Sequence, residues 1–392
     1  MGLLALDQRI WVVVAANFLA VAARMSVVTF LGIYFVRVAG ISLASVGVAF
    51  FLESMLRGVA APMFGALSDR IGRRPLLLAA ALVTALVLPC FLLVNGTLAL
   101  LLWSTAMGIA GAANMPVATA LLLDLAPPER RQAVLATNYT GMSVAYTLGV
   151  MPAGYVAEQG YGLLALISSL GYILVALCYV LALRGALPMQ RSESRLSADI
   201  LRVATDRVFL GFAALAFIFP FAMGQVVTAS PLFAAENGLG EGYIGLVLGG
   251  NSIIVALLAL PVAARIEAGG PFRPLGLAAF LIGIAFISYA GIGNTAVAYM
   301  TGTVIFSFGE LIFSSAVPAA VARIAPAGRR GAYQGGWTLV ASLSMGSALL
   351  LSGLLRDALS WRGAWLTYTA LALILAALLF VSRRRFSERA QY

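Results

Sequence analysis

Among its 392 residues the chain has no histidine. That removes imidazole metal sites, histidine-based nucleophile triads and histidine proton relays. There is no lysine either, so all 25 basic residues are arginine, and no function follows from that choice. The only two cysteines, Cys90 and Cys178, stand in separate apolar runs. They read as small buried hydrophobes, not as a disulfide or a metal pair. No metal and no cofactor is therefore expected. Charge is scarce as well. Only 10% of the residues are charged, against about 25% in a soluble globular chain.

What the chain has in abundance is apolar length. Hydrophobic residues make up 62% of it, where soluble chains hold about 45–50%. The stretch "LLLAAALVTALVLPCFLLV", Leu76 to Val94, carries no charge. About 20 such residues cross a hydrocarbon core of roughly 30 Å. Twelve runs of this kind can be marked. The first six lie near 10–36, 42–67, 75–94, 98–123, 133–157 and 161–183. The second six lie near 208–234, 242–266, 274–293, 297–322, 332–355 and 362–382. None alternates, and each is about twice the length of a barrel strand. The predicted class is an all-α integral membrane protein with twelve transmembrane helices. The run from Ile10 reads as an uncleaved first span, since many more follow it.

A net charge of +10 would suggest nucleic acid in a soluble protein. Here the arginines collect in loops, and no nucleic-acid partner is expected. With the N-terminus inside, the outer segments hold only Arg37, Arg356 and Arg362. Arg24 and Arg57 fall within spans, and every other arginine falls inside. The positive-inside rule then predicts a multi-pass inner-membrane protein with both termini cytoplasmic.

The polar segment from Arg184 to Arg207 divides the spans six to six. The predicted organisation is an N-terminal six-helix bundle (1–183), a cytoplasmic linker (184–207) and a C-terminal six-helix bundle (208–392). The halves echo each other at an offset of 199 residues. "WVVVAANFL" from Trp11 matches "LGFAALAFI" from Leu210, and "APPERRQA" from Ala126 matches "APAGRRGA" from Ala325. This predicts a duplication. A duplicated membrane bundle places its site between the halves, near the midplane.

Two sets of charges break the apolar pattern. The first is the short turn "GALSDRIGRRPLLL", Gly65 to Leu78, with Asp69, Arg70, Arg73 and Arg74 close together. A tight turn there needs Gly65 and Gly72 for close packing and backbone freedom. The arginines anchor it in the cytoplasm. Asp69 can pair with them or face a helix N-terminus. Asp124, in "DLAPPERRQA", is expected to accept an arginine of the turn.

The second set lies inside the spans: Arg24 in span 1, Glu53 and Arg57 in span 2, Glu310 in span 10. Glu53 and Arg57 are four residues apart and can form a buried ion pair on one helix face. Thr303, Ser307, Glu310 and Ser314 share a face of span 10, a polar stripe suited to a water-filled cavity. Asn17 stands two turns before Arg24 on its own face. Span 7 adds Gln225 and Thr228, and span 11 adds Gln334, Thr338 and Ser342. An always-charged guanidinium at mid-depth suits an anionic or hydrogen-bond-accepting group of a substrate. The alternative for Arg24 is a structural pair with Glu53 or Glu310. Gly141, Ala145, Gly149 and Ala153 make a small-residue stripe in span 5, suited to close packing.

The motif Gly65-x-x-x-Asp69-Arg70-x-Gly72-Arg73-Arg74, with twelve spans and a six-plus-six repeat, resembles the major facilitator superfamily. The likeness is to its drug/proton-antiporter-like twelve-helix branch. The charged turn after span 8, "ARIEAGGPFRP", departs from the pattern, because it lacks the aspartate. So does span 5, where Pro152 follows Gly149 by three residues, unlike the family's Gly-Pro antiporter motif. The resemblance implies that helices 1, 4, 7 and 10 line a central cavity, which Arg24 and Glu310 would face from opposite halves. It implies that Asp69 latches the halves on the inside when the carrier opens outward. Some sugar–proton symporters of the family carry the proton on a helix-10 carboxylate. With no histidine, Glu310 and then Glu53 are the candidate proton carriers. The implied function is a monomeric secondary transporter that exports a small organic or amphipathic compound in exchange for protons. An uptake symporter for a small metabolite and, more distantly, a membrane-embedded transferase are the alternatives.

Overall fold

The computed structural model describes residues 7–127, 130–182, 203–291, 295–326 and 330–389. Of the expected linker 184–207, residues 184–202 lie outside the described residues. Among the described residues all regular structure is helical.

Ten helical runs among the described residues are long and apolar enough to cross a membrane. They are α1 (Gln8–Val38), α2 (Leu43–Ile71), α3 (Arg73–Leu93), α4 (Thr97–Leu125), α6 (Tyr161–Leu181), α7 (Arg207–Glu236), α8 (Glu241–Gly269), α9 (Phe272–Tyr289), α10 (Thr295–Ile324) and the run Ala332–Ser382. The last lies within α11 (Arg330–Arg389), which is interrupted at Ser360, where φ is 68° and ψ 169°. Between α4 and α6 stands α5 (Arg131–Gln159), 29 residues long. At about 1.5 Å per residue it has the length to span, but Asn138, Thr140, Ser143 and Thr147 make it more polar than the others.

Local chemistry sets the helix ends. The Asp7 carboxylate accepts from the Arg9 N–H at 2.8 Å at the start of α1. Asp206 accepts from Val208 and Phe209 at 2.9 and 3.1 Å at the start of α7. Each satisfies a donor that the first helical turn leaves without an intrahelical acceptor. Pro62, Pro152, Pro261 and Pro318 lie inside α2, α5, α8 and α10. Each removes a backbone donor, which packed transmembrane helices tolerate.

Apolar side chains cover the outside. Leu260 is 82% and Val381 75% exposed, and large aliphatic residues project from nearly every helix. Surfaces this continuous would associate in water and are the lipid face in a bilayer. Cys90 is exposed and Cys178 half-buried, and both are free thiols. The expectation of two buried cysteines is corrected: an apolar outer face accepts a thiol as readily as a core does.

The chain forms two compact units, Met1–Glu193 with Gly240–Ser252, and Ser194–Leu239 with Ile253–Tyr392. In the first, α1, α3, α4 and α6 share a core built on Val13, Leu77, Leu121 and Val175. Small residues set the helix spacing. A Cβ on Gly149 of α5 would stand 2.5 Å from the Ala22 carbonyl of α1, and one on Gly171 of α6 2.7 Å from the Ala23 Cβ. The small-residue stripe of α5 therefore packs on α1. The start of α8 packs on α5, where Gly242 N–H donates to Glu158 Oε1 at 2.8 Å. The second unit is centred on aromatic rings. Trp365 is fully buried and contacts Phe233 of α7, Phe286 and Tyr289 of α9, and Tyr368 of α11.

Candidate functional site

Two charged networks in the first unit arise from residues that the sequence singles out. One is the turn between α2 and α3. Gly72 adopts φ 97°, a conformation that favours glycine, and it reverses the chain at once. Arg73 is thereby directed back into the unit. Its guanidinium donates to the Ser68 hydroxyl and pairs with Asp69. Its Nε donates to Asp124 Oδ2 at 3.1 Å. The Arg73 and Asp124 side chains are each only 8% exposed. Arg74 donates to the Tyr179 and Val180 carbonyls near the end of α6 at 3.1 and 3.0 Å. The turn thus ties together α2, α3, α4 and α6, while Arg70 stays exposed. Of the two roles open to Asp69, the structure shows pairing with an arginine. Gly65 is not closely packed. A Cβ there would meet nothing within 4 Å, so Gly72 alone carries the backbone requirement of the turn.

The other network lies inside the spans. Arg24 Nη2 of α1 donates to Glu53 Oε1 of α2 at 2.7 Å, and Arg57 Nη2 donates to the same oxygen. The side chains of Arg24, Glu53 and Arg57 are 14%, 8% and 29% exposed. The i,i+4 pair Glu53–Arg57 forms, and Glu53 is the partner of Arg24. Three neighbours carried no sequence signal. Tyr172 of α6 lies beside Arg24. A Cβ on Gly108 of α4 would meet the Glu53 carbonyl at 2.8 Å, so the two backbones touch there. A Cβ on Gly111 would stand 3.3 Å from Arg57 Cζ.

Most of the remaining polar candidates are used in packing. Asn17 is buried and donates to Asn138 Oδ1 of α5 at 2.8 Å. Gln225 is fully buried, donates to the Ala348 carbonyl at 3.1 Å and accepts from Ser352 at 2.7 Å. The stripe on α10 divides. Thr303 and Ser307 are buried, with Thr303 against the Tyr289 hydroxyl at 2.9 Å and Ser307 donating to the Thr303 carbonyl. Glu310 and Ser314 are half-buried. Helical serine and threonine can satisfy themselves on the preceding turn, so their spacing does not by itself require water. Thr228 is half-buried on α7, Gln334 donates to the Pro318 carbonyl at 2.9 Å, and Thr338 is exposed on α11.

These features define a helical membrane protein with charge buried in apolar spans and a charged turn at the end of its second helix. The sequence model of the Major Facilitator Superfamily matches residues 13–314 and again 233–391, and the chain belongs to this family of transporters. It is 23% identical over 353 residues to the "Na(+), Li(+), K(+)/H(+) antiporter" of Planococcus maritimus, covering 78% of this chain and 79% of that one. It is 21% identical to "Multidrug resistance protein MdtH" of Aeromonas hydrophila, over 93% and 92% of the two chains. The solved nucleoside transporter NupG shares its fold, with a TM-score of 0.80 and 13% identity over 96% of this chain and 99% of that one. These similar proteins are transporters, not enzymes. The chain is accordingly an integral membrane protein.

Proposed function

We propose that the chain is a secondary active transporter of the inner membrane, working by alternating access, that exports a small organic or amphipathic compound in exchange for protons. In this reading it is a monomer of twelve spans in two related halves, 1–183 and 208–392, joined by 184–207, with both termini cytoplasmic. The break at Ser360 divides α11 into two spans, and α5 supplies another. Several features support the duplication. The helix caps Asp7 and Asp206, and the prolines Pro62 and Pro261, are each 199 residues apart. The helices α2 and α8 both have 29 residues.

The observation that carries the transport reading is the Arg24–Glu53–Arg57 cluster within α1 and α2. A charge at the bilayer centre costs at least about 2.5–3.5 kcal/mol, and such residues mark substrate or ion pathways. Glu53 serves two guanidiniums, so Glu310 is the better carrier of the coupled proton and Glu53 the second choice. Arg24 in the first unit, and Thr228, Ser314, Gln334 and Thr338 in the second, each keep part of their surface open and are the proposed substrate contacts of their own units. The charged turn around Asp69 and Arg73 is the proposed inner latch. The names of the two relatives, an antiporter and a multidrug-resistance protein, favour export over uptake.

Reconstitution tests this. Wild-type proteoliposomes should exchange substrate in counterflow and concentrate it under a pH gradient. Glu310→Gln should keep the exchange and lose the gradient-driven accumulation. Absence of counterflow by the wild type would remove the transporter reading. Loss of accumulation in Glu53→Gln but not in Glu310→Gln would reverse the ranking of the two carboxylates.

A further inference from the structure

The Arg24–Glu53–Arg57 cluster is one anion short. Two guanidiniums share one oxygen of one carboxylate. Of the described residues packed against the cluster from other elements, none adds a second negative charge: α6 contributes Tyr172, and α4 contributes Gly108 and Gly111. Among the described residues, Arg24 Nη1 and Arg57 Nε are buried without an acceptor. A guanidinium nitrogen in that position lacks a charge-assisted bond, which is among the stronger hydrogen bonds in proteins. The cluster is not sealed, since Arg57 remains 29% exposed. The wall beside it is bare backbone at Gly111, and a methyl group there would crowd the guanidinium.

We propose that this cluster binds a monoanionic head group, a carboxylate or sulfonate, of the transported compound, through the arginine nitrogens that Glu53 leaves free. The proposal rests on the transporter reading and narrows its substrate. One surplus positive charge is neutralised by one negative charge. A dianionic phosphate would leave the buried cluster negative, and a cationic compound would meet like charge. The planar guanidinium fork matches a carboxylate edge to edge.

The test uses the purified full chain and one ring system, 2-naphthyl, bearing a carboxylate, sulfonate, carboxamide or methylammonium group. A ligand bound only by the folded state raises the melting temperature. The carboxylate and sulfonate should raise it at concentrations where the amide and ammonium compounds do not. Arg57→Gln and Arg24→Gln should weaken the carboxylate by about tenfold or more, the scale of one charge-assisted contact. Arg24→Gln leaves Glu53 paired with Arg57 and the cluster neutral, whereas the double variant Arg24→Gln/Glu53→Gln restores one surplus positive charge on Arg57 and should recover part of the carboxylate binding.

Glu53→Gln decides the sign. It keeps an acceptor oxygen for both arginines and removes the competing charge, so carboxylate binding should tighten. Weaker carboxylate binding in that variant, stabilisation by the ammonium compound, or no response to either anion overturns the proposal. So does equal stabilisation by chloride or phosphate alone, which would mark a resident inorganic ion. Counterflow of the labelled compounds separates the two readings. Carboxylate binding without counterflow leaves the site and removes the transporter, whereas counterflow of the ammonium compound alone does the reverse.

Discussion

A buried guanidinium needs acceptors for its donors, and Arg73 finds them on Ser68, Asp69 and Asp124. Removing it strands the buried Asp124 carboxylate. Arg73→Ala should cost about 3–5 kcal/mol, as for breaking a buried pair on one side, whereas exposed Arg70→Ala should cost almost nothing. Thermal unfolding in detergent separates them, and equal losses would mean that Arg73 is not the centre of the turn. Asp69→Asn should leave ligand binding intact and abolish most transport, and normal counterflow would reduce the turn to a topological anchor. Gly108→Ala should destabilise by about 1–3 kcal/mol, the range for overpacking, because its Cβ would meet the Glu53 carbonyl at 2.8 Å. The charges of these networks were legible in the sequence because ions are rare in it. Their glycine and tyrosine neighbours were not, since a glycine in an apolar run looks the same whether it faces lipid or a helix 3 Å away. The stripe Thr303–Ser307 misled for a different reason. Its hydroxyls are satisfied within α10 and against Tyr289, a partner that periodicity cannot reveal.

At the scale of elements, apolar length located α1 to α10 closely, because lipid demands one kind of segment. The helix ends were less legible, being set by single residues. Sequence reading separated runs near 332–355 and 362–382, yet no glycine or proline marks the turn between them. The structure turns at Ser360 with φ 68° and ψ 169°, whereas Gly160 makes the corresponding turn between α5 and α6 with φ 144°. A side chain in that region stores about 1–3 kcal/mol of strain. Ser360→Gly should therefore raise the melting temperature, and Gly160→Ser should lower it. An unchanged or lowered melting point for Ser360→Gly would show that the serine side chain makes contacts that outweigh its backbone strain.

For the whole molecule, the arginine distribution makes the broadest claim, because orientation depends on loop charge and not on any contact. It predicts Gln190 inside and the α7–α8 turn outside. Cysteine labelling tests this in a background lacking Cys90, which is exposed, and Cys178, which is half-buried. Asn237 is preferred to Gly238 as the outer position, because Gly238 adopts φ 88° and a cysteine there would be strained. Asn237→Cys should react with an impermeant maleimide in intact cells, and Gln190→Cys only after permeabilisation. The helix α7 is the one apolar run between the two positions, so opposite sidedness requires it to cross once, whatever the total number of spans. Labelling of both from one side would mean that α7 does not cross. The reverse pattern would invert the molecule, place the turn around Asp69 outside, and remove both the inner latch and the charge argument on which the orientation rests.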